Sequence, residues 1–139
     1  SVLDPLIYHI VMFNRVAQLA ARFDVIHFHT DYLHFGAMAL RQVPTVTTLH
    51  GRLDLPDLPV VYAEFPQMPL ISISDHQRNP LSWLNWCATV HHGLPRTLYK
   101  AGAGRGGYLA FIGRISPEKR LDTAIEIARR FGMPLTCRM

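Results

Sequence analysis

The sequence predicts an α/β protein built on a parallel sheet flanked by helices. Two observations carry that expectation: short β-rich apolar runs alternate with segments of helical periodicity, and each run ends in polar or ionisable residues. Composition is the third. With 139 residues, 49% hydrophobic and 17% charged, the chain has the apolar content for a core, which a disordered chain lacks.

Asp4-Pro5 reads as an N-cap followed by proline at the first helical position, and Leu6, Ile10, Phe13, Ala17 and Ala20 then share one face. A helix is expected to about Arg22. Asp24 to His29 (DVIHFH) reads as a strand, and Leu33, Gly36, Ala37 and Leu40 as a second helical face that Pro44 ends. Further strands are expected at Thr45–Leu49, Leu70–Ile73 and Ala88–His91. Between the second and third, residues 51–69 hold Pro56, Pro59, Pro66 and Pro69 and predict a long irregular excursion, with one short helical turn around Val60 to Phe65. Residues 102–107 (GAGRGG) read as a flexible linker. Tyr108 to Ile112 is expected as a buried strand. Leu121, Ala124, Ile125 and Ala128 mark an amphipathic helix closed by Gly132 and Pro134, after which Pro134 to Cys137 begins another strand.

Charge divides the chain. Residues 1–90 carry five arginines against seven acids (−2), and residues 91–139 nine basic residues against three acids (+6). The basic half favours an anionic partner. Nucleic acid is not expected, because the cations are scattered and no stacking aromatics are interleaved with them. Cys87 and Cys137 are too few for a disulfide-stapled scaffold and read as buried packing residues. No apolar run reaches the roughly 18 residues of a membrane span and no signal-peptide pattern opens the chain, so a cytoplasmic protein is expected. The absence of an initiating methionine and the strand cut short at Met139 predict a piece of something longer.

In open parallel sheets, ligands bind beyond the carboxyl ends of the strands. The five predicted strands end in His29-Thr30-Asp31, His50-Gly51-Arg52, Ser74-Asp75, His91-His92-Gly93 and Gly113-Arg114. Serine or aspartate at such a point can simply cap the next helix, but five polar ends on one rim favour a site. His27 and His29 share one strand face, yet nothing else has ligand-like spacing; no metal site and no cofactor are expected. The sharpest local signal is Gly113 to Lys119 (GRISPEK). Gly113 permits a tight turn, Ser116 can cap a helix starting at Pro117, and Arg114 and Lys119 flank it, a set competent to hold a diphosphate.

HFHTD (27–31), TTLHG (47–51), SISD (72–75), HHGLP (91–95) and above all GRISPEK (113–119), in this order and spacing, resemble a family 4 glycosyltransferase of the GT-B fold. The resemblance implies two Rossmann-like domains, with a nucleotide-diphosphate sugar donor held mainly by the C-terminal one and an acceptor, whose identity the sequence does not reveal, by the N-terminal one. It implies a retaining, hexosyltransferase-type transfer without a carboxylate-bound metal. Arg114 and Lys119, with Gly113, map to the donor-diphosphate motif, and His50 to a residue at the reacting centre, with Gly51 beside it. His29, Ser74, His92 and Gly93 are expected to line the cleft. HHGLP resembles the domain-crossing segment, from which His92 and Pro95 depart.

The expected organisation is therefore residues 1–93 as the latter part of an N-terminal domain, 94–107 as a glycine-rich linker, and 108–139 as the start of a donor domain. The resemblance places the acceptor loop before residue 1 and the paired donor-binding glutamates beyond residue 139, so the fragment alone is expected to be inactive. The competing expectation is a non-catalytic nucleotide- or phosphate-binding α/β module. Peripheral membrane association stays open.

Overall fold

Asp4 and Pro5 start the first helix as the sequence predicts. The Asp4 carboxylate accepts the Leu6 N–H at 2.9 Å, and α1 runs Pro5–Leu19 before tightening into a 3-10 turn over Ala20–Arg22. The computed structural model describes residues 4–41, 43–100, 102–104 and 106–138. The chain divides into two units, Ser1–Gly93 and Leu94–Met139.

In the first unit, β1 (Ile26–Phe28), α2 (Phe35–Ala39), β2 (Thr45–Thr48), α3 (Leu58–Glu64), β3 (Leu70–Ser72) and β4 (Trp86–Thr89) alternate, with a 3-10 segment over His76–Leu81. The strands form one parallel sheet in the order β1-β2-β3-β4. All four carboxyl ends therefore lie on the same edge, which places their terminal residues together.

The core is aromatic and aliphatic: Phe13, Phe28, Phe35, Met38, Leu49, Tyr62, Leu70 and Leu81 are buried in one cluster. Phe13 of α1 meets Phe28 edge-on at 6.3 Å, and Phe35 meets Tyr62 the same way at 5.9 Å. Burying each such side chain contributes roughly 1.5–3 kcal/mol. Desolvation, ahead of the charges of Asp31 and Tyr32, pushes the Tyr62 phenol well above its ordinary value.

Several expectations shift. Phe13, Ala17 and Ala20 of the expected α1 face are buried, but Leu6 and Ile10 are 50% and 61% exposed; the C-terminal half alone meets the core. The α2 face is rotated: Leu33, Gly36, Ala37 and Leu40 are exposed, while His34, Phe35 and Met38 are buried, because in so short a helix the bulkiest groups claim the interior. β4 begins two residues before the expected Ala88. Trp86 pairs with Leu70, and its indole N–H donates to the Leu81 carbonyl at 3.0 Å, so the tryptophan anchors the strand. The proline-rich stretch holds a full seven-residue helix, α3, where a single turn is expected.

In the second unit, β5 (Leu109–Ile112) pairs in parallel with β6 (Leu135–Arg138), and α4 (Leu121–Phe131) crosses between them. Gly132, at φ 59°, closes α4 with its N–H on the Ala128 and Arg129 carbonyls. β5 is not the buried strand expected: Leu109 and Phe111 are half-buried, on the side where α4 packs, while Ala110 and Ile112 face solvent. Within the expected linker, residues 101 and 105 lie outside the described residues. Both cysteines, expected to be buried, are free and exposed. Cys87 stands on β4, which ends its sheet, and Cys137 lies near the end of β6 on the same face as Leu135, lining an open depression beside Ile125 and Ala128 of α4.

Candidate functional site

The sheet edge of the first unit carries a row of imidazoles. His27 on β1 and His29 directly after it are two residues apart in extended chain and emerge on the same face, with ring centroids 4.3 Å apart. His50, two residues beyond β2, presents Nε2 to His29 Nδ1 at 2.8 Å, with the rings stacked at 5.1 Å. His92, three residues beyond β4, stacks on His50 at 5.3 Å with the planes only 13° apart. Expected cleft residues from three separate strand ends are thus brought into contact. The row is solvent-accessible along His29, His50 and His92.

At the end of the row away from His92, His27, also exposed, has Nε2 2.8 Å from the Thr48 hydroxyl. Desolvation chiefly, and then the neighbouring His29 and His50, hold the His27 pKa below its ordinary value. Its neutral ring therefore persists to lower pH than that of a free imidazole, and one nitrogen stays available as an acceptor. A fifth histidine, His34, lies beneath the row and not in it. It is fully buried, stacked on Phe28 at 3.8 Å, with Nε2 2.9 Å from the Thr47 hydroxyl and Nδ1 3.3 Å from the Thr30 hydroxyl. Desolvation lowers its pKa to about 4, so it is a neutral packing residue at ordinary pH.

Beside the imidazoles, the ends of β3 and β4 share a polar network. Ser72 and Thr89 hydroxyls meet at 2.9 Å, Thr89 donates to Asp75 at 2.7 Å, and Arg78 reaches Thr89 at 3.4 Å while lying over the Trp86 ring. Ser74 Oγ accepts the Gln77 N–H at 3.1 Å, although the N-cap position of the 3-10 segment is Asp75, whose side chain makes no cap bond. Gln77 is the residue that sequence reasoning misses. Its side chain bonds to backbone groups of three residues, Leu49, Gly51 and Ile73, none of which carries a sequence signal for it. Gly51 and Gly93 each have open space where a side chain would begin. A cleft of about 410 Å³ opens next to this network, lined by Arg52, Asp54, His76, Gln77 and Asn79 among others. Arg52 and Asp54 form a two-pronged ion pair across 2.8 Å contacts.

The GRISPEK segment of the second unit differs from expectation. Pro117–Lys119 is an isolated 3-10 turn, and the long helix starts only at Leu121. Arg120 separates them in the left-handed region, at φ 54°. Ser116 makes no side-chain cap bond, so the helix N-terminus expected at Pro117 lies four residues later. Gly113 does not need to be glycine for its turn: its φ is outside the left-handed region, and a Cβ would meet Phe111 and Lys119 at 3.7–3.9 Å, ordinary contact distances. Arg114 is exposed and sits 3.6 Å from Glu118, four residues on. A broad depression of about 790 Å³ borders the segment, lined by Ile115, Ser116, Pro117, Arg120, Leu121, Asp122 and Ile125; Arg114 and Lys119 are not in its wall.

Among the described residues, no group of three or more His, Cys, Asp or Glu is arranged to hold a metal ion, and no helix is long and apolar enough to cross a membrane. Comparison of the chain with protein-family models found no match, and comparison with curated proteins found none.

Proposed function

We propose that the chain is part of a cytoplasmic, GT-B-type glycosyltransferase that moves a hexose from a nucleotide-diphosphate sugar to an acceptor with retention of configuration. The observation that carries this reading is the convergence of His29, His50 and His92 from three strand ends onto one rim of a parallel sheet. His50 acts at the reacting centre. Its hydrogen bond to His29 restricts its ring orientation, and pre-oriented polar groups at developing charge are the largest source of rate in such sites.

Arg114 and Lys119 contact the donor diphosphate. Arg114 is exposed and only loosely engaged by Glu118 at 3.6 Å, so an incoming diphosphate competes for it at little cost. Transfer develops negative charge on the leaving diphosphate, which a bidentate guanidinium and an ammonium stabilise.

Calorimetric titration with UDP and GDP tests the reading. One of the two binds the wild-type chain, and Arg114→Ala weakens that binding at least tenfold. Equal affinity of Arg114→Ala and wild type removes Arg114 from the site, and no binding of either nucleotide by the wild type overturns the proposal.

A further inference from the structure

We infer that Gln77 is the positioning residue for His50. Its Nε2 donates to the Leu49 carbonyl at 3.1 Å and to the Gly51 carbonyl at 2.8 Å, the residues immediately before and after His50. Its Oε1 accepts the Ile73 N–H at 2.8 Å. A primary amide has two N–H donors and one carbonyl acceptor, and each makes a bond to backbone here.

The placement explains why such a clamp is needed. β2 ends at Thr48 and β3 at Ser72, and the last backbone bond between these segments is Leu49 N–H to the Ile71 carbonyl at 3.0 Å. Beyond that point the ladder no longer holds His50. Gln77 takes its place, tying both flanks of His50 to the end of β3, and Ser74 Oγ in turn fixes the Gln77 backbone. The clamped segment delivers His50 Nε2 to His29 Nδ1 at 2.8 Å, a contact that a shift of about 1 Å would break.

The clamp itself stands on these distances; its importance for sugar transfer rests on the function proposed above. Gln77→Glu keeps the length and the acceptor for Ile73 but sets a carboxylate oxygen against two carbonyl oxygens. Gln77→Asn keeps the amide and withdraws it by one methylene.

Long-range ¹H–¹⁵N correlation of the imidazoles in the ¹⁵N-labelled chain at neutral pH reads the result. In wild type, His29 Nδ1 and His50 Nε2 resonate as a donor–acceptor pair. In Gln77→Glu both move toward tautomer-averaged values, while His34, held by Thr30 and Thr47, stays in place as the control for the fold. If Gln77→Glu also displaces His34, Gln77→Asn decides by the same readout. Unchanged His29 and His50 resonances beside an unchanged His34 overturn the clamp, as does loss of the fold in both variants, which would make Gln77 a general structural residue. Addition of a UDP- or GDP-hexose separates the two claims. It shifts His50 in wild type, at concentrations at least tenfold lower than in Gln77→Glu; no shift in wild type overturns the role in transfer and the sugar-nucleotide reading with it, and equal concentrations overturn the role of Gln77 alone.

Discussion

His29 Nδ1 and His50 Nε2 lie 2.8 Å apart, joining the end of β1 to the loop beyond β2 by a side-chain bond between two exposed imidazoles. One ring must donate and the other accept, so the pair orders protons as well as rings. Because both rings are exposed, the bond contributes little to folding. His50→Ala is expected to lower stability by no more than about 1 kcal/mol, read from urea unfolding. A loss of several kcal/mol would mean that the row is structural.

His34 makes stability depend on pH. Its folded pKa, about 4, is below the unfolded value of 6.5, so the unfolded chain binds more protons between them. The stabilisation is fully present above pH 6.5 and is lost as pH falls toward 4, by up to roughly 3 kcal/mol. Urea midpoints measured across that range should fall in wild type and flatten in His34→Gln. A parallel fall in the variant would assign the effect elsewhere.

Phe35 is wholly buried, between Tyr62, Phe65 and His34. Phe35→Ala leaves a void that neighbouring rings cannot fill, and should cost about 3–5 kcal/mol. Leu40→Ala, on the same short helical stretch but 87% exposed, should change stability by less than about 0.5 kcal/mol. The contrast between the two in thermal melts tests the rotated face of α2.

Arg120 occupies a left-handed conformation that costs a non-glycine residue about 1–2 kcal/mol. Its pair with Asp122, at 3.1 Å on the surface, returns less than that. Arg120→Gly should therefore raise the melting temperature of the second unit and Arg120→Val lower it. The opposite order would contradict the strain.

Exposure of Cys87 and Cys137 predicts that both thiols react with a disulfide reagent in the native chain, at rates that denaturant raises only slightly. A thiol that reacts only after unfolding would be buried in solution.

Local signals carried much of this fold. Asp4-Pro5 marks a helix start by chemistry that needs no tertiary partner, and the alternation of strands and helices gives the parallel sheet. What failed was local information about tertiary competition. The α2 period was legible but its phase was not, since Leu33 and Leu40 look as apolar as Phe35 and Met38 until the neighbouring Tyr62 and Phe13 are placed. Cys87 misled because burial of a strand residue depends on which strand ends the sheet. In the site, His29, His50 and His92 were legible as strand ends. Gln77 was not, because its partners are main-chain groups, two of them 26 and 28 residues away, and a main-chain partner leaves no trace in residue type.

The order β1-β2-β3-β4 has a consequence for how the imidazole row is lost. Each strand neighbours the next in sequence, so the sheet frays from its edges, and β4 is one of them. Opening of β4 carries His92 away, yet leaves the bond between His29 and His50 intact on β1 and β2. Opening of β1, the other edge, instead takes His29 and its bond to His50, so the row can be lost from either end by local opening without global unfolding, and His50, carried just beyond the interior strand β2, is the ring that both openings leave in place.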